Sequence, residues 1–81
     1  MRTSEMRLVL IEWLDSYGCS SDWQSLDSVN VQTMTCKSVG WLLHEDERYK
    51  VIVPHVSDGT NQGCGDMTIP AAAIVSLRDL A

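Results

Sequence analysis

Cys64 stands between Gly63 and Gly65, with His55 upstream in the same polar stretch. A thiol beside an imidazole is the raw material of a nucleophile and its base, but catalysis also needs an acid to orient the base. The preferred reading is the simpler one, that a small thiol fits a tight turn between glycines. No G-x-S-x-G, H-E-x-x-H or Walker loop is present. Gly63-Cys64-Gly65 is too short for a dinucleotide fingerprint. Glu45, Asp46 and Glu47 are adjacent acids in a charged turn, which water solvates, rather than a spaced acid/base pair. Cys19, Cys36 and Cys64 are odd in number, lie far apart and form no C-x-x-C, so they read as reduced thiols. Cys19, Cys64, His44 and His55 lack the paired spacing of structural zinc. The expectation is a protein that is not an enzyme and uses no metal or cofactor.

Binding is a different matter. Trp13, Trp23 and Trp41 are most of the aromatic content, with Tyr17 and Tyr49 the remainder and no Phe. An aromatic face stacks a nucleobase without positive charge. Trp13 and Trp41 fall where core residues also fall, whereas Trp23 is isolated in a polar loop. His55, following Pro54, can meet a phosphate or a base edge. The run from Asp58 to Gly63 offers backbone amides of the kind that form anion-binding concavities, and the Gln62 amide both donates and accepts. Asp15 and Asp66 can accept hydrogen bonds from sugar hydroxyls or base amines, although capping a turn is their commoner duty. The candidate ligand-binding set is Trp13, Asp15, Trp23, His55, Gln62, Gly63 and Asp66.

These residues need a scaffold. Arg7 to Asp15 and its flanks carry apolar residues that suit a helix (Met6, Val9, Leu10, Trp13, Leu14, Tyr17) or a strand covered on both faces. A strand is preferred because the segments downstream read as strands and turns. Asp15 to Asn30 is rich in Ser and Asp and reads as a long loop, in which Ser21-Asp22-Trp23-Gln24 can open one helical turn. Val31 to Leu43 alternates regularly, with Gly40 marking a bend or bulge. Tyr49 to Val53 is a strand whose pairing should end at Pro54 or pass to an edge, because proline cannot donate to a ladder. Val56 to Asp66 reads as an irregular loop. Met67 to Ile69 is a short strand, Pro70 to Ala72 a tight helical turn, and Ile74 to Leu77 a closing strand, although Ala71 to Leu80 can also be drawn as a helix.

Two resemblances go further than periodicity. Ser38-Val39-Gly40-Trp41-Leu42-Leu43, a charged turn, Val51-Ile52-Val53 and the run from Ile69 to Leu77 resemble the SH3-like and Sm-like small-barrel pattern. That resemblance implies an all-β, small five-stranded barrel with short helical turns. Over nearly the whole chain, Trp13, Asp15, Ser16, Trp23, Ser38 to Leu43, Pro54, His55 and Gln62 to Ile74 resemble a set of small proteins from tailed phages and prophages. That resemblance implies a phage origin, hence action in the cytoplasm of an infected bacterial host, and does not imply a reaction. By analogy of size, origin and fold it is similar to phage sponges that sequester nucleotide second messengers of bacterial defence.

Whole-chain arithmetic narrows the partners. Eighty-one residues are expected to form a single domain over 1–81. Six Lys and Arg against eleven Asp and Glu give a net charge of −5, which argues against a nucleic-acid polymer as ligand. No apolar run approaches the ~20 residues that span a bilayer, and the polar start reads as no secretory signal. The first strand is apolar on both faces, and one small barrel has only one inside, so a homo-oligomer is expected. The expected function is non-catalytic capture of a small nucleotide-derived immune signal. The alternative is an adaptor or inhibitor docking on a host or phage protein.

Overall fold

The computed structural model describes residues 2–18 and 22–81. The chain is all-β. Its strands are β1 (Leu8–Ser16), β2 (Thr33–Glu45), β3 (Tyr49–Val53), β4 (His55–Ser57), β5 (Gln62–Cys64), β6 (Met67–Pro70) and β7 (Ile74–Asp79). Short 3-10 turns lie at Arg2–Glu5, Leu26–Ser28 and Ala71–Ala73. Among the described residues no helix is long and apolar enough to cross a membrane. Five strands form one antiparallel sheet in the order β6-β3-β2-β1-β7, and β4 pairs with β5 in a separate two-stranded ribbon. The expected barrel is not closed by backbone hydrogen bonds: the ladder ends at β6 on one side and β7 on the other.

The ambiguous first segment is a strand, because its alternate residues Val9 and Ile11 are wholly buried while Leu8 and Leu10 keep partial exposure. Val9, Ile11, Ile52 and Ile69 form the buried cluster, with Trp13, Leu42, Ile74 and Leu77 packed against it. Gly40 is not a bulge. A Cβ there would lie 3.1 Å from the Val53 backbone and 3.2 Å from the Ile52 Cβ, so glycine lets β2 and β3 approach. The register shift falls later, between Leu42 and His44, where Leu43 is the extra residue of β2, and a second, opposite Glu12 and Trp13, leaves Val75 as an extra residue in β7.

The β2–β3 turn is built by one side chain. Asp46 Oδ1 accepts from the backbone N–H of Arg48 and of Tyr49, both at 2.7 Å. Its Oδ2 lies 2.7 Å from His44 Nε2. Together these hold the Asp46 carboxyl down to about 2, the His44 contact having the largest effect. Pro54 ends β3 as expected, but Val56 to Asp66 is not irregular. It forms the β4–β5 ribbon, with Asn61 at φ 53 and Gly65 at φ 78 making the reversals. Its tip is tied to the start of the chain: Asp58 accepts from the Thr3 backbone at 2.8 Å and the Thr3 hydroxyl at 2.6 Å.

The molecule is long for its size. It measures 54 × 23 × 20 Å with a radius of gyration of 16.4 Å, against about 12 Å for a compact chain of this length. The excess is an arm: β1 beyond Trp13, β2 before Cys36 and the described part of the loop between them are exposed. The loop's helical turn is at Leu26–Ser28, where the Ser25 hydroxyl accepts from the Asp27 N–H, and the described residues Asp22 to Gln24 are not helical. Cys19 and Ser21 lie outside the described residues.

Candidate functional site

Two separate surfaces carry the candidate residues. The first is the β4–β5 ribbon. It borders a groove of about 240 Å³ lined by Arg2, Met6, Leu43, Val53, Gln62 and Gly63. Apolar walls, one guanidinium and the amides of Asn61 and Gln62 make that groove a small mixed surface. His55, Ser57, Gln62, Gly63 and Cys64 also line an open depression of about 640 Å³. Gln62 and Gly63 belong to both. Glycine at 63 has a packing cause as well, since a Cβ there would meet the Val53 Cγ1 at 2.8 Å. Asp66 follows Gly65 at the exit of the ribbon and is exposed.

The second surface is the arm. Trp23 is fully exposed at 104%, and Leu26 and Val31 are exposed at 88% and 99%. Such side chains on a free monomer are left to water, which makes them candidates for contact with something else. Asp15 lies at the root of the arm, where its Oδ1 accepts from the Ser16 N–H at 2.8 Å. Asp15 therefore organises its own strand end.

Trp13 does not join either surface. Its ring packs against the buried cluster and its indole N–H donates to the Ser38 hydroxyl at 3.0 Å. The structure brings His55, Gln62 and Gly63 together and leaves Trp23 elsewhere. The ribbon branches from the sheet opposite Gly40, whereas the arm loop enters β2 at Thr33. At ~3.3 Å per residue those two points of β2 are separated by roughly 23 Å, with Trp23 further out along the chain. Trp23 lines neither the groove nor the depression.

Two residues of the groove carry no signal in the sequence pattern. Arg2, on the groove rim, sits in a polar N-terminal stretch without a motif. Met6, beside it, is visible only as one apolar position of a possible helix. The Thr3 clamp on Asp58 brings both to the ribbon.

The charge pattern fits a selective rather than a purely electrostatic surface. Arg7 pairs with Asp79 at 2.8 Å, Lys50 with Glu45 at 2.6 Å and Lys37 with Glu12 at 3.7 Å, so these cations are engaged within the chain. All are exposed pairs of small energetic weight. The carboxyls of Asp58 and Asp79 sit below their usual range, held there by the Thr3 hydroxyl and the Arg7 guanidinium respectively. Among the described residues no group of His, Cys, Asp and Glu is arranged to hold a metal ion. Compared with protein-family models, with curated proteins and with solved structures, the chain has no match.

Proposed function

We propose that this protein is a non-catalytic binding protein that works as a homo-oligomer and captures a small nucleotide-like molecule between copies. The observation that carries the reading is the separation of a wholly exposed Trp23 from the groove and depression around Gln62, Gly63 and His55. Trp23 supplies a stacking face and no positive charge. Gln62 and the ribbon amides supply directional hydrogen bonds, and Arg2 supplies a cation for an anionic group. Each half is incomplete alone, and two copies can complete it.

The strand order, with a 3-10 turn joining β6 to β7 and a bend in long β2, favours an SH3- or Sm-like small barrel left open between its edge strands. The resemblance to phage proteins supports action in the cytoplasm of an infected host against a nucleotide-derived defence signal. The adaptor reading has one observation in its favour, the apolar arm formed by Trp23, Leu26 and Val31, which a foreign protein can also cover.

Thermal denaturation against a panel of mononucleotides, cyclic dinucleotides and ADP-ribose separates the two. A binding protein gains stability as RT ln(1 + [L]/Kd) with one class of probe. No shift with any probe, together with one host protein recovered stoichiometrically on the arm, supports the adaptor instead.

A further inference from the structure

Long β2 has a free edge that matches itself. Leu42 N–H donates to the Arg7 carbonyl at 2.8 Å. Given the β1–β2 register, Val9–Gly40, Ile11–Ser38, Trp13–Cys36 and Asp15–Met34 are then the hydrogen-bonded pairs. The backbone groups of Thr33, Thr35, Lys37 and Val39 therefore point away from β1, toward the side where β3 runs. But β3 pairs with β2 only from Trp41 onward, because Pro54 turns the chain aside into the ribbon. Among the described residues, no backbone hydrogen bond reaches those outward groups. Monomeric proteins protect such an edge with proline, inward charges or bulges. Thr33 to Val39 has no proline and a single charge, Lys37, which already faces Glu12 at 3.7 Å.

Resting on the homo-oligomeric reading above, we infer that two copies join antiparallel along this edge, about a two-fold axis through Cys36. Only that centring uses all the outward residues: Thr33 pairs with Val39 of the partner subunit, Thr35 with Lys37 of the partner subunit, and the reverse. A shift of the axis to Lys37 would set two ammonium groups directly opposite, which is unfavourable. Sharing the same edge, the two copies close on each other and stop at two along this interface. The pairing also explains how the split site is completed. Thr33 of one copy arrives beside Val39 of the other, next to the point where Pro54 leads into His55. The chain just before Thr33 is the arm, so the partner subunit's Trp23 is delivered to the ribbon.

Cys36 is the natural reporter. In this register the two Cys36 Cα atoms face each other at about 4.5 Å as a non-hydrogen-bonded pair, within the range a disulfide spans. The test uses the full chain carrying Cys19→Ser and Cys64→Ser, mildly oxidised at micromolar concentration. A covalent dimer lost on Cys36→Ser is expected. A second arm tunes the same register through an exposed residue. Thr35→Lys sets a like charge opposite Lys37 and should raise the dimer Kd roughly two- to thirtyfold, while Thr35→Glu should lower it by a similar factor. An oligomer that neither crosslinks at Cys36 nor responds to Thr35 with opposite signs overturns the edge and leaves the homo-oligomer standing. A chain that sediments as a monomer overturns both.

Discussion

At Gly40 and Asp46 single side chains decide how the sheet is joined. Gly40→Ala places a methyl group 3.1 Å from the Val53 backbone, which cannot swing aside as a flexible side chain would. Overpacking of that kind costs roughly 1–3 kcal/mol, and urea denaturation of the variant should show a lower midpoint. Asp46 ties both sides of the β2–β3 turn, and its carboxyl is held down to about 2 against an ordinary 3.8. Because the folded value is depressed, its contribution is fully present above pH ~4 and fades as pH falls toward 2. Melting temperatures of the parent and of Asp46→Ala, measured from pH 6 to pH 2, should converge across that window. A constant gap down to pH 2 would show that the carboxylate is not the stabilising form. Residue type alone marked Gly40 as special, but not why. A bend and a close approach both need the missing Cβ, and only the neighbour β3 distinguishes them. Asp46 read as one acid among three because its duty depends on the amides of Arg48 and Tyr49 turning toward it.

On the scale of elements, alternation was informative where strands are long and one face is buried. β2 alternates regularly and is a strand from Thr33 to Glu45, and Pro54 ends β3 where proline must. β1 was ambiguous because apolar residues fall on both of its faces, a pattern that suits a helix as well. The β4–β5 ribbon was unreadable for a different reason. Each of its strands has three residues, and Gly63 contributes no side chain, so no period can develop. The tryptophans follow the elements that hold them. Trp13→Ala empties a ring packed on the buried cluster and orphans the Ser38 hydroxyl, at a cost of roughly 3 kcal/mol in chemical denaturation. Trp23→Ala removes a ring that touches water alone in the free chain. Its melting temperature in the absence of assembly should stay within a few degrees of the parent, while capture of a nucleotide probe weakens by roughly 1–3 kcal/mol. Unfolding by Trp23→Ala would place that ring in a core and remove it from the site.

For the whole molecule, the charge of −5 and the small core set the terms on which it can bind. Few of the described residues are wholly buried, an arm of exposed Trp, Leu and Val extends from the body, and Arg7, Lys37 and Lys50 are engaged by the chain's own acids. The candidate residues were readable from their types, yet their division between two distant surfaces was not. That division arises because the ribbon leaves the sheet opposite Gly40 while the arm loop enters β2 at Thr33, and the sequence pattern does not say where along β2 its neighbour β3 ends. In the proposed reading assembly reunites them, which makes stoichiometry and ligand one question. Native mass spectrometry of the protein purified from phage-infected, defence-activated cells addresses both at once. The account predicts an integral multiple of the 9.0 kDa chain, at least two, carrying a discrete extra mass in the nucleotide range that is released on denaturation. A single chain, or an assembly whose mass is that of protein alone, would contradict it.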